Sequence, residues 1–443
     1  MEFSEALDRR MQDLAAACTQ CGKCFEACPM TAPIGLSGAD PKHVLSGVVG
    51  LLRGVDGNQA AQRWTAACSS SGLCRDACDY GVDARLLVRL ANFANIRRRD
   101  RDAVRKNAIA SFRGMAKTLR IVTRLQLDQQ TLSLVQPQSP TVSSMAAPDV
   151  ALYTGCNVAK TPHILLLCLE VLRTLGLSYE LIGGPNACCG VNQFRAGDAE
   201  TSGRAGLSAL AQIEARKATT NVSWCPSCQA QFEDVILPNR RLITGRDNFS
   251  LVPFFIFLEQ RLDRLRPFFK RSVNKRVALD ERPGYPDVTR AVERIVSVIP
   301  GVELVHLHVP RAGLMSNYLT VTPRFKEQLR IEEFRAAARA GVTTLATIFH
   351  ACHRELCRFE KETAFEIINV MEIIGESMGF HADDVYKKLA LAKSVEDMMQ
   401  QCSPLLIEHG LDPEETREVL IADQLAATPL QGAFQEVDCS PSC

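Results

Sequence analysis

Cys18, Cys21, Cys24 and Cys28, with Pro29 directly behind them, have the C-x2-C-x2-C-x3-C-P spacing of a cubane iron–sulfur ligand run. Thiolates two residues apart in a turning chain converge on one cubane, whereas the fourth cysteine swings away to a second one. The partner run is Cys68, Ser71, Cys74 and Cys78, with the same spacing and a serine at its second position. The expected sets are therefore crossed: Cys18, Cys21, Cys24 and Cys78 for one cluster, and Cys28, Cys68, Cys74 and Ser71 for the other. Three outcomes follow from Ser71. Its oxygen or a substitute completes a 4Fe-4S cluster, the corner stays open and leaves 3Fe-4S, or the cluster is lost. Zinc also accepts four-cysteine sites, but two such runs with Pro29 after the first favour iron–sulfur chemistry.

A second cysteine pattern follows: Cys156, 31 residues, Cys188-Cys189-Gly190, 34 residues, Cys225-Pro226-x-Cys228. A lone C-x2-C is weak evidence, because redox dithiols share it. The adjacent pair changes the inference. Two neighbouring thiolates cannot both face one ordinary cubane from a regular strand, so a more open, irregular cluster is expected. Gly190 would let the backbone turn tightly beside it, and Pro226 flanks the last pair. Cys168 lies within an apolar helical pattern and is expected in the core.

These motifs need elements to carry them. The spacing predicts a helical ferredoxin-like domain over 1–95 and a helix with a Pro- and Ser-containing linker over 96–148. Apolar runs ending at Cys156, at the CCG triplet and at Cys225 alternate with helix-length segments. That is the rhythm of an α/β layer structure with its ligand crevice beyond the strands. The remaining boundaries are a first CCG-type domain over 149–275, a degenerate second one over 276–400 and a C-terminal extension over 401–443. The fold class is therefore α/β, with helical segments at both ends. Cys439 and Cys443 fall in a polar tail and are expected to be loose.

The pattern C-x31-CCG-x34-C-P-x-C resembles that of heterodisulfide-reductase B/C-type iron–sulfur proteins, with the ferredoxin-like part fused ahead of the CCG part. It is also similar in layout to the iron–sulfur subunits of glycolate oxidase and anaerobic glycerol-3-phosphate dehydrogenase. The resemblance implies an iron–sulfur cluster on Cys156, Cys188, Cys189, Cys225 and Cys228, of non-cubane 4Fe-4S type as in the heterodisulfide reductases. It further implies either disulfide cleavage at that cluster or electron carriage beside a flavoprotein.

A shift of 127 residues sets "VALYTGC" on "VALDERP" and suggests a duplication. Without gaps, Pro283 stands for Cys156, Met315 and Ser316 for the cysteine pair, Asn317 for Gly190, Cys352 for Cys225 and Glu355 for Cys228. The second copy is expected to have lost its cluster and to survive as vestigial surface. Its alternative is a new metal or catalytic site on His350, Cys352, His353, Glu355 and Cys357.

The 51 basic and 50 acidic residues balance, which gives no global attraction to nucleic acid or anionic lipid. The N-terminus has no apolar signal-peptide core, and no uncharged apolar run reaches membrane-spanning length. A cytoplasmic protein is expected, with peripheral attachment to the inner membrane as its only membrane option. The segment 248–271 is basic and amphipathic, and core packing is preferred for it over a membrane surface. Glycine-rich nucleotide loops and a Ser-His-acid set are missing, so no catalytic side chain is assigned. The organic cofactor is expected in a partner, a flavoprotein dehydrogenase. A quinone or an electron-transfer protein is the matching acceptor, and the assembly is a hetero-oligomer. The main reading is an electron-transfer subunit of such an oxidoreductase complex. Its alternatives are a disulfide reductase acting at the CCG site and a non-redox scaffold supported by metal.

Overall fold

The computed structural model describes residues 1–98, 100–137, 147–315 and 319–425. The centre of the expected linker, two of the second-copy positions (Ser316 and Asn317) and the tail with Cys439 and Cys443 lie outside them.

The first ninety-odd residues are helical. Helix Phe3–Ala17 starts on a capping box between Glu2 and Glu5 and buries Phe3, Ala6, Leu7, Met11 and Ala15 on one face. Helices Pro41–Leu52, Gln59–Ala66 and Ala84–Arg97 pack on it or on one another around Trp64 and Phe93. The same core continues into the CCG half through Tyr153, Phe194 and Phe232. The Phe3 ring lies where a side chain on Gly203 would stand, 2.3 Å from that Cβ position, so this glycine admits the N-terminal helix.

Two four-stranded parallel sheets follow. The first has the order β2-β1-β3-β4 and is built from β1 (Val150–Gly155), β2 (Tyr179–Gly183), β3 (Thr220–Ser223) and β4 (Val252–Pro253). The second repeats the order as β6-β5-β7-β8, from β5 (Lys275–Asp280), β6 (Val302–Leu304), β7 (Thr344–Thr347) and β8 (Glu366–Asn369). β1 is buried at every position, as expected of a central parallel strand covered on both faces. The α/β class with helical ends is thus the observed architecture, and the duplication is visible as one topology drawn twice.

The ungapped residue correspondence is corrected by strand register. Val150 pairs with Tyr179 and Thr220 in the first sheet. Its counterpart Val277 pairs with Leu304, not His306, and with Thr344, not Thr347. The second copy is therefore shorter by two residues at its second strand and by three at its third. Helices Pro226–Gln231 and His350–Leu356 then begin in step. Cys352 inherits the place of Cys228, and Phe349 that of Cys225. The ungapped alignment sets the surviving cysteine on the wrong partner, because loop deletions leave no mark in a sequence compared only with itself.

Phe254, Phe255, Phe257 and Leu258 are buried, and helix Phe254–Glu259 packs on helix Pro286–Ser297. Core packing accounts for this apolar run. Helix Arg101–Arg124 and its capping residue Leu125 put Ile121, Val122 and Leu125 into a small core with Tyr386, Leu389, Met398 and Leu420 from the C-terminal helices. Helix Val395–Glu408 runs across the boundary expected at residue 400. Among the described residues no helix is long and apolar enough to cross a membrane.

Candidate iron–sulfur centres

The two N-terminal runs fold alike. Gln20 and Gly22 adopt φ of 58° and 94°, and Ser70 and Gly72 adopt 57° and 82°. In each run these left-handed residues turn the chain before a four-residue helix, Lys23–Glu26 or Leu73–Asp76, that carries the third cysteine. Ser71 therefore occupies the place in its turn that Cys21 occupies in the first.

The side chains group by the crossed scheme. Cys18, Cys21, Cys24 and Cys78 line one cavity with Leu45, Val82 and Leu87. Burial, and then Cys18 and Cys21, push the Cys24 thiol up to about 12. Burial likewise raises Cys74, with Cys68 and Cys28 as its nearest thiol influences, and raises Cys68 beside Cys28. Ser71 is buried next to them in the chain. Crowded thiols in an apolar pocket resist losing their protons unless cations share the site. That donor chemistry fits iron–sulfur clusters and would be costly as a set of free thiols.

The third centre lies at the carboxyl ends of β1, β2 and β3. The glycine ending β1 comes just before Cys156 and has φ of 72°. A side chain on Gly155 would stand 2.9 Å from Cys225 Cβ and 3.1 Å from Cys228 Sγ. Gly190, at φ 80°, comes as close to Ser202: a Cβ would lie 2.3 Å from its carbonyl oxygen. The Ser202 hydroxyl donates to Gly190 O at 2.9 Å, and Gly190 N donates to Cys188 Sγ at 3.4 Å. Pro226 opens its helix at the first turn, where no N–H is required. The Cys188 and Cys228 thiols donate towards Cys189 and hold its pKa well down. The Cys228 thiol, then the backbone N–H groups of Cys228 and Ser227, hold Cys225 down. Burial, then Cys189 and Cys225, push Cys156 up to about 12. All five thiols thus form one group, and only Cys156 is partly exposed.

Three residues around this group carry no signal in the sequence. Met115, on the helix Arg101–Arg124 between the two domains, places its Sδ 3.8 Å from Cys156 Sγ and 3.4 Å from Asn192 Nδ2. Arg195 acts electrostatically on Cys189, and Arg354, from the second copy, acts on Cys156. No spacing rule connects any of them to the cysteines.

In the second copy a charge network fills the equivalent space. Arg282 stands where the first copy has Gly155 and pairs with the wholly buried Asp280. Arg311 donates to Glu333 beside it, and Arg282 also bonds Cys352. Burial pushes Asp280 up to about 7 against the pull of Arg282. The vestigial site is not surface. Leu314 and Met315 are buried, Leu314 N donates to Ser69 O at 2.9 Å, and Ser227 Oγ lies 3.8 Å from Met315 Sδ. The lost site has become the wall between the second N-terminal run and the five-cysteine centre. The donors of "FHACHRELC" do not converge: Glu355 pairs with Lys326 and Arg330, and Cys357 joins the C-terminal core.

Two sequence profiles match parts of the chain. One described as a 4Fe-4S dicluster domain matches residues 17–83, and one described as a cysteine-rich domain, CCG, matches 150–233. Three curated relatives are D subunits of dihydromethanophenazine:CoB–CoM heterodisulfide reductases. The one from Methanosarcina acetivorans is 22% identical over 346 residues, covering 73% of this chain and 78% of the relative. That of Methanosarcina barkeri is 20% identical over 396 residues, covering 82% and 94%. That of Methanosarcina mazei is 22% identical over 400 residues, again covering 82% and 94%. The chain thus matches a 4Fe-4S dicluster domain and a CCG cysteine-rich domain in succession, and it is similar at low identity to the D subunits of heterodisulfide reductases.

Proposed function

We propose that this chain is the iron–sulfur subunit of a heterodisulfide-reductase-like complex, and that a disulfide is reduced at its five-cysteine centre. The observation that carries the reading is the asymmetry of that centre: four thiols are buried, while Cys156 is partly exposed, with Met115 and the positive charge of Arg354 beside it. In the reaction the substrate S–S bond breaks, two electrons and two protons are taken up, and two thiols leave. A reduced flavoprotein or other one-electron carrier supplies the electrons. Its docking face would be the rim of the first centre, where Cys18, Cys21 and Cys78 are partly exposed beside the exposed Tyr80.

Iron–sulfur clusters held by these cysteines would supply one-electron transfer. The chain supplies the order. Cys24 acts on Cys74, and Arg89 on Cys68. Arg89 in turn donates to Ala230 O at 3.2 Å and Gln231 Oε1 at 2.6 Å, on the helix that carries Cys228. These contacts support the second centre as the intermediate stop.

A second reading is favoured by the filled site of the second copy. With one CCG centre in place of two, the chain would relay electrons between a flavoprotein dehydrogenase and a quinone or protein acceptor, in the manner of glycolate-oxidase-type subunits. One experiment separates them. The anaerobically purified chain is given a reduced viologen and a set of mixed disulfides, the CoB–CoM heterodisulfide among them. Thiol release that is lost in Cys156→Ser supports the reductase. Clusters that reduce and reoxidise with a flavoprotein but release no thiol favour the relay. Clusters that do not change redox state would leave only a scaffold.

The nuclearity of the second centre is tested at Ser71. Because its turn repeats that of Cys21, Ser71→Cys is expected to raise the iron content by about one atom per chain and to remove the oxidised-state paramagnetic signal of a three-iron cluster. Unchanged iron and spectra would mean that a fourth iron is already held.

A further inference from the structure

We propose that His163, His353, Glu372 and Asp384 form a zinc site that clamps the two copies of the α/β unit together, apart from every cysteine centre. One candidate ligand atom from each of the four lies within 4.8 Å of the others. They come from four places: the first turn of helix Pro162–Thr174 in the first copy, helix His350–Leu356 in the second, the first turn of helix Val370–Met378, and the residue capping helix Val385–Ala390. His163 is 1% exposed, His353 0% and Asp384 7%.

The side-chain geometry asks for a cation. His163 Nδ1 stands 3.4 Å from Asp384 Oδ1 and its Nε2 3.7 Å from Glu372 Oε1, while His353 Nε2 is hydrogen-bonded to Asp384 Oδ2 at 2.7 Å, a bond that a shared ion would replace. Both nitrogens are buried and neither makes a hydrogen bond, and His353 Nδ1 is buried without one as well. A buried imidazolium at His163 would be paired with two acids but not hydrogen-bonded, a costly arrangement. Ligand atoms around a tetrahedral zinc with bonds of about 2.0 Å stand about 3.3 Å apart, close to the His163–Asp384 separation. Lys387, whose charge also reaches the cluster, is engaged by Glu360 at 2.9 Å.

The chemistry of the donors selects the ion. Two neutral imidazoles and two carboxylates balance a divalent cation, and without a thiolate the set does not suit an iron–sulfur cluster. With four protein ligands and no wide opening, the role is structural. Its mechanical consequence reaches the five-cysteine centre, because His353 and Arg354 share one helix and that helix packs beside Asn157–Lys160, the turn that follows Cys156. The site stands whichever of the two redox readings holds.

The test is metal analysis with zinc-edge X-ray absorption on the anaerobically purified full chain. About one zinc per chain is expected, with only nitrogen and oxygen in its first shell. His163→Ala and Asp384→Asn are each expected to lose the zinc and keep the iron content. The absorption spectrum of the unaltered chain decides the matter even where a variant fails to fold. Zinc below about a tenth per chain, a different metal, or sulfur in the zinc shell would overturn the proposal.

Discussion

Gly155→Arg is expected to remove about four irons per chain, the complement of the five-cysteine centre, while the dicluster domain keeps its own. The second copy has already performed the substitution, with Arg282 at the corresponding position lying against Asp280 and Cys352. In the first copy the space is narrow: any Cβ at Gly155 falls 2.9 Å from Cys225 Cβ and 3.1 Å from Cys228 Sγ. The backbone there, at φ 72°, disfavours an L side chain by about 1–2 kcal/mol. The guanidinium would stand among thiols and would lack the carboxylate that Asp280 supplies to Arg282, since the first copy has Tyr153 at that place. Gly155→Ala should be intermediate, with the Cβ contact and the strain but without the charge. Iron and sulfide counts with absorption spectra of both variants check the result. Full iron in Gly155→Arg would show that these thiols do not enclose the cluster and would undo the account of how the second copy lost its own.

The same comparison shows what the sequence could and could not yield. Cysteine spacing records chemistry directly, because convergent thiols need short fixed intervals, and so the grouping of Cys18 with Cys78 across sixty residues was legible. Strand runs such as Val150–Gly155 were legible for a similar reason: a strand buried on both faces must be apolar throughout. The correspondence of the two copies was legible only as far as β5. Beyond it, deletions in loops move Cys352 from the place of Cys225 to that of Cys228, and only the pairing of Val277 with Thr344 reveals it. Met115, Arg354 and the His163–His353 contact, with ring centres 5.3 Å apart, join segments far apart in the chain whose residue types are unremarkable. Such sites are made by packing, and composition carries no trace of them.

Asp234→Ala is expected to release the dicluster domain from the CCG half. The Asp234 carboxylate accepts from Arg85 at 2.9 Å and from Arg89 at 2.7 Å, and its carbonyl oxygen accepts from Arg10 at 2.7 Å. All three arginines come from helices of the N-terminal domain, whereas Asp234 sits in the π-helical turn Phe232–Ile236 just beyond Cys228. The Arg85 side chain is only 5% exposed and that of Asp234 8%. Removing the acid leaves buried positive charge without compensation, which costs about 3–5 kcal/mol in comparable sites. A chain of several cores does not unfold in one step, so the loss is best read locally, as faster amide exchange along Ala84–Arg97. If electrons pass between the second and third centres as proposed, that passage should slow with it, because Arg89 keeps its bonds to Ala230 and Gln231 but loses the charge that balances it. Replacing Asp234, Arg85 and Arg89 together by apolar residues of similar volume should restore most of the protection, since the cost lies in the unpaired charge and not in the lost pair. Exchange in Asp234→Ala equal to that of the parent chain would show that apolar packing, with Phe93 stacked on Phe194 at 4.6 Å, holds the interface without the ion pairs.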